Sequence, residues 1–245
     1  MHELDKIDNK RRRWLIQALT TGFFTSAVPG ANALADGLFG SKPAKLPAGQ
    51  SIYRITGQVL VNGKVATMET RINPGDNIST GKDSELIFVI GSHAMLLRDQ
   101  SQLTIVAAKE TATSLLISAL RLLQGKLLSV SRNTPLRLET ATATIGIRGT
   151  GFYVESTPAQ SYFCTCYGVT DVRANADPES SATVTSSHHD RPLYILKTAE
   201  RGRHILEAPF INHTDQELAL IETLVGRTTP FVFSNEAYRT PRREY

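Results

Sequence analysis

Ile145-Gly146-Ile147-Arg148-Gly149-Thr150-Gly151-Phe152-Tyr153-Val154 is the stretch whose reading decides the fold. It lies inside a Thr-, Ile- and Val-rich segment over 134–155, the composition of extended chain. Glycine weakens a strand interior, yet three glycines stand here within six residues. Glycines so placed mark a bulge or a close approach between backbone and neighbour. The stretch therefore predicts a bent strand within a β fold.

The same pattern repeats upstream. Gly57-Gln58-Val59-Leu60-Val61-Asn62-Gly63-Lys64 reads as a strand entering an Asn-Gly hairpin turn, because both turn residues tolerate positive φ. Pro74-Gly75-Asp76-Asn77-Ile78-Ser79-Thr80-Gly81 supplies another turn, in which an Asx hydrogen bond accounts for Asp76. The apolar run Leu86-Ile87-Phe88-Val89-Ile90 follows, and Met95, Leu97, Leu103 and Ile105 alternate along 92–106. Short β-rich runs punctuated by glycine about every ten residues argue for an all-β domain. Leu115, Leu116, Ala119, Leu120, Leu122 and Leu123 suit a helix face or two short strands. Because Leu127, Leu128 and Val130 continue the apolar pattern beyond Gly125, strands on both sides of that glycine are expected.

Four motifs in this order, Gly57-x-Val59, Gly75-Asp76-x-Ile78-x-Thr80-Gly81, Gly125-Lys126-Leu127 and Ile147-Arg148-Gly149-Thr150-x-Phe152, resemble the FecR domain over about residues 55–155. The resemblance implies a β-sandwich or compact β-roll, with Gly75, Asp76, Arg148, Gly149 and Thr150 as motif residues. Typical members join a cytoplasmic anti-sigma region, a membrane span and this β-rich periplasmic domain to a C-terminal part that receives a transporter's signal. Only ten residues precede Arg11 in this sequence. The expectation is an exported, non-enzymatic sensing or interaction module that feeds a membrane-bound signalling partner, without transmembrane sigma regulation.

Export is read from the first 35 residues. Arg11-Arg12-Arg13-Trp14-Leu15-Ile16 opens a weakly apolar stretch that closes on Ala33-Leu34-Ala35, the layout of a twin-arginine signal. Arg11 and Arg12 form the pair, Ala33 and Ala35 precede the cut, and a periplasmic chain starting at Asp36 is expected. An uncleaved anchor is the alternative, weakened by Gln17, Thr20, Thr21, Thr25 and Ser26, since a span needs about 20 predominantly apolar residues. The formal charge of +4 falls to +2 once the leader's five basic and three acidic side chains are removed. Such a balance gives no concentrated basic face for nucleic acid. The expected organisation is a signal over 1–35, a linker over 36–50, a β-domain over 51–156 and a β extension over 157–245.

The extension carries the candidate chemistry. Tyr162-Phe163-Cys164-Thr165-Cys166-Tyr167-Gly168-Val169 reads as a strand that places both cysteines on one face. Their Cα atoms would lie about 6.5 Å apart, at the far edge of disulfide geometry. Ser187-His188-His189-Asp190 follows a polar loop, and a hairpin-like return would bring His188 or His189 to the thiols. Cys164, Cys166, His188 and His189 then form a candidate site for zinc or copper, with Asp190 orienting an imidazole. A labile disulfide and simple packing of the thiols beside Phe163 and Tyr167 are the competing readings. His204 and His213 are not singled out by their spacing, and Arg148 reads as an anion site or a structural pair. The sequence shows no Gly-x-Ser-x-Gly elbow, Walker loop or His-Glu-x-x-His motif, so no enzyme is expected. Thr214-Asp215-Gln216-Glu217 is a capping box for a helix over about 215–225, with Gly226 as its stop. The aromatic segment from Pro230 through Phe233, with Tyr238, is expected to cover a sheet edge.

Overall fold

The computed structural model describes residues 43–108 and 117–231. The expected signal, Leu115, Leu116 and the aromatic residues beyond Phe231 lie outside the described residues. The strands are β1 (Ile52–Thr56), β2 (Val59–Val61), β3 (Lys64–Val65), β4 (Asn77–Thr80), β5 (Glu85–Ile90), β6 (His93–Leu97), β7 (Gln102–Ala107), β8 (Ile117–Thr140), β9 (Ala143–Ser156), β10 (Gln160–Ala174), β11 (Ser181–Ser186), β12 (Leu193–Leu196) and β13 (Ile205–Glu207). One helix, α1 (Asp215–Leu224), follows them. The chain is all-β with a single short C-terminal helix among the described residues. No described helix is long and apolar enough to cross a membrane.

All thirteen strands belong to one antiparallel sheet that forks. The fork is at β8, whose first part pairs with β7 and whose middle, Leu127 to Ser131, pairs with β6. Gly125 stands between the two partners at φ +107°, and an added Cβ would meet the Cα of Ser101 at 2.4 Å. The segment read as two strands around a break is thus one continuous strand, and the glycine is its corner rather than its end. A second corner lies where β8 shifts register between Ser131 and Pro135 and β9 passes through Gly149 at φ +64°. There the two remaining glycines of the deciding stretch separate in role. Gly151 leaves room for the Tyr167 ring, which a Cβ would meet at 2.5 Å, whereas Gly146 meets nothing closer than 3.8 Å.

One contiguous core fills the inner face, drawing Phe88, Met95, Leu97, Leu120, Leu127, Phe152, Val154 and Phe163 from both halves of the chain. β9 and β10 pair from Ser156↔Ser161 to Ala143↔Ala174, so the residues after 156 continue the sheet of those before it. The Asn62-Gly63 turn has φ of 51° and 77°, as its hairpin requires. Asp76 accepts from the Asn73 amide at 2.7 Å and the Asn62 side chain at 2.7 Å, which ties two turns together. Arg148 pairs with Asp171 at 2.6 Å on the exposed side of the sheet.

His93, buried at the start of β6, has no hydrogen-bond partner for Nδ1 among the described residues. Burial and the nearby Arg227 guanidinium lower its pKa to about 4. The unfolded chain protonates His93 near pH 6.5, so between about 6.5 and about 4 the unfolded state holds more protons. Stability then falls as pH falls through that window, by about 3 kcal/mol in total from this group. Urea titrations of the wild type and a His93→Gln variant at about pH 7 and about pH 4.5 should show the variant losing correspondingly less stability on acidification.

Candidate metal centre

The outer faces of β9 and β10 carry a second, smaller buried region under residues 210–224. Tyr153 and Cys164 are register partners on this face, while their neighbours Phe152 and Phe163 point into the main core. A register shift between Thr165 and Tyr167 lets Cys166 and Tyr167 both take part in this outer region. α1 flanks it, packing on β6 and β8 and burying Leu218, Ile221 and Leu224. The helix begins as its sequence requires, with Thr214 accepting from the Glu217 amide and Glu217 accepting from the Thr214 amide. Gly226 at φ +73° ends it.

Four ligand-type side chains converge here, namely Cys164, Cys166, His189 and His213, with their donor atoms all within 4.8 Å of one another. Both cysteines have no exposed surface, and neither is in a disulfide. Sγ of Cys164 is 3.4 Å from Nδ1 of His189, and Sγ of Cys166 is 3.5 Å from Nε2 of His213. The same two nitrogens are 3.1 Å apart.

Each element reaches this point for a local reason. The 187–190 turn is clamped by Asp190, whose Oδ2 accepts from the Ser187 amide at 2.6 Å and hydroxyl at 2.9 Å. His189 then takes a left-handed conformation, φ +56°, and its N–H donates to the Cys166 carbonyl at 2.9 Å. The turn is thus pinned to β10. His213 directly precedes the helix cap, and its ring stacks on Tyr153 with centroids 4.5 Å apart. Phe210 packs against both imidazoles at 4.4 Å.

The outward nitrogens define the tautomers. Nδ1 of His213 lies 2.7 Å from the Ile211 carbonyl, which can only accept, so that nitrogen carries the proton. Nε2 of His189 donates to the Asp215 carboxylate at 2.9 Å. With both rings neutral, the inward nitrogens present lone pairs to the thiols and to each other, whereas a protonated His189 would donate from Nδ1 to Cys164 or His213. Burial opposes ionisation of Cys164, but hydrogen bonds from Cys166, His189 and His213 outweigh it and hold this thiol well below the usual range. Burial and the adjacent Cys164 push Cys166 well up. Burial would lower His189, yet Asp215 and Cys164 raise it. Burial also acts against Asp215, whose pKa is nevertheless lowered by its hydrogen bonds to His189 and His188.

Two positions differ from the sequence expectation. His188 lies outside the four-residue cluster, because the left-handed turn points its ring away from β10. Its Nε2 is 3.0 and 3.1 Å from the two oxygens of Asp215. Asp190 binds its own turn, and the imidazole-orienting carboxylate is Asp215. His213, which the spacing left unmarked, completes the set. The available signal was its place one residue before the Thr214 cap, since a residue there is fixed by the helix start. His204 lies elsewhere, buried 3.4 Å from Asp177.

No family model matches the chain, and no curated protein matches it. Among solved structures it is similar to two crystal structures of a "putative anti-sigma factor" from Parabacteroides distasonis, with TM-scores of 0.42 and sequence identities of 16% and 17%. Each match covers 54% of this chain and 58% of that one, so the chain spans somewhat over half the length of the protein it resembles.

Proposed function

We propose that this chain is an exported FecR-like β-module whose biochemical function is to hold one thiophilic metal ion, zinc or copper(I), at Cys164, Cys166, His189 and His213. One observation carries the reading: two imidazole nitrogens, on rings whose other nitrogens are committed to Asp215 and the Ile211 carbonyl, stand 3.1 Å apart beside two buried thiols. With both rings neutral that arrangement is repulsive unless a cation sits at their focus, and a metal ion there would be met by all four donor atoms at once. The spacing also suits a metal. Bond lengths of about 2.3 Å to sulfur and about 2.0–2.1 Å to nitrogen, at tetrahedral angles, place sulfur and nitrogen about 3.6 Å apart and two nitrogens about 3.3 Å apart. The corresponding distances here are 3.4, 3.5 and 3.1 Å. The Asp215–His189 pair supplies the carboxylate–imidazole support that metal-bound histidines use.

Four protein ligands, all buried, leave no open coordination position for substrate, which is the character of a structural or sensing site. The FecR-like part of the reading is supported by its motifs, which fall on successive turns and strands of β2 to β9. The chain would be carried to the periplasm by the twin-arginine route, which exports folded proteins and so accommodates metal loading before transport. A membrane-bound signalling protein would be its partner.

The test is to purify the exported protein and measure metal and accessible thiols together. About one zinc or copper per chain with protected thiols is expected. No metal with two titratable thiols would overturn the proposal, as would a disulfide. Trp14 is the only tryptophan, so a correctly processed protein should also lack indole emission.

A further inference from the structure

The centre is enclosed, yet one side of it is polar. Tyr153 and Phe210 wall His213, and the Phe231 ring packs at a tilt against His188 with centroids 4.5 Å apart. Asp215 is the side chain that bonds the cluster to the outside, and beyond it stands His188, 40% exposed. His188, His189 and Asp215 offer donor atoms that also lie within 4.8 Å of one another. This outer set shares His189 with the buried one. Nδ1 of that ring faces the thiols at 3.4 Å, and Nε2 faces Asp215 at 2.9 Å.

We infer that His188 and Asp215 form an outer cation-binding site, the landing point from which a divalent ion reaches the buried cysteines. The inference rests on the metal-holding reading of the inner cluster. An imidazole and a carboxylate already hydrogen-bonded to each other through both carboxylate oxygens suit a borderline divalent ion such as zinc, which would replace the His188 Nε2 proton between them as that proton shifts to Nδ1, with water filling the remaining positions. The carboxylate concentrates cations at the entrance, and among the described residues the two histidines are the basic side chains bonded to it. Transfer inward forms two sulfur–metal bonds, and the two protons held by the Cys166 thiol and by the Cys164–His189 pair leave to solvent. The His189 ring then faces the ion with Nδ1, and Asp215 returns to its hydrogen bond with Nε2.

The inference separates loading rate from affinity. Full-length protein stripped by a chelator and mixed rapidly with zinc should load roughly tenfold faster than a His188→Ala variant, followed by proton release or displacement of a zinc indicator. The variant should nevertheless reach the same stoichiometry and a dissociation constant within about threefold of the wild type. Its circular dichroism should be unchanged, since the residue is partly exposed. Equal loading rates in the two proteins would overturn the outer site. Loss of the tightly bound ion in His188→Ala would also overturn it, by making His188 a ligand of the inner centre. A wild type that binds no zinc would instead remove the underlying reading, and the inference with it.

Discussion

A Cys164→Ser, Cys166→Ser double variant should purify without metal and unfold at least about 10 °C below the wild type. The ligands come from β10, the 187–190 turn and the residue before α1, so one ion ties together segments 25 and 47 residues apart in sequence. A structural zinc supplies apparent binding free energies of about 10–16 kcal/mol in small metal-dependent domains at neutral pH. Here the main core is independent of the site, and a fraction of that value suffices for the expected shift. The control separates metal from packing. A strong chelator should bring the wild type down to near the midpoint of the variant, whose own midpoint should respond neither to chelator nor to zinc. In the stripped wild type, amide protection should fall first over 187–190 and 211–217 and be retained in β8 and β9. Equal midpoints with and without chelator would reduce the thiols to packed side chains.

The second large effect concerns Glu222. This α1 carboxylate is fully buried, accepts from the Tyr167 hydroxyl, and pairs with Arg132 at 3.0 Å and Arg227 at 2.7 Å. Arg132 also lies over the Tyr167 ring, 5.2 Å from its centroid. Removing the carboxylate leaves two guanidinium groups facing each other across a buried phenol. Glu222→Ala should therefore cost about 3–5 kcal/mol in urea denaturation, while a Tyr167→Phe, Glu222→Gln pair, which keeps the shape, should cost less. Because α1 carries Asp215 and follows His213, the alanine variant should also release metal more readily. A loss below about 1 kcal/mol would mean that the helix is held by Leu218, Ile221 and Leu224 alone.

Much of this fold was legible because local chemistry left few choices. The Asn62-Gly63 hairpin, the alternation through Met95, Leu97, Leu103 and Ile105, and the Thr214 capping box each follow from one residue type at one required conformation. The course of β8 was harder. A glycine between two apolar runs fits a strand end as well as a corner, and only the closeness of Ser101 decides between them. At the candidate site, the cysteines were visible because two residues apart on a strand share a face. The choice between His188 and His189 was not, because it turns on one left-handed φ angle. His213 and Asp215 depend on where α1 docks, a long-range contact with no periodic signature. The same holds for Gly151, whose need for a bare backbone comes from a tyrosine sixteen residues later.

The most direct measurement is a cobalt(II) titration of the metal-stripped protein followed by visible and near-ultraviolet absorption. Intense bands of a tetrahedral ion are expected together with thiolate-to-cobalt charge transfer, both saturating at about one ion per chain and both absent in the Cys164→Ser, Cys166→Ser variant. Weak absorption of a six-coordinate ion, with no charge-transfer band and no saturation at one equivalent, would contradict the assignment of Cys164, Cys166, His189 and His213 as a metal centre.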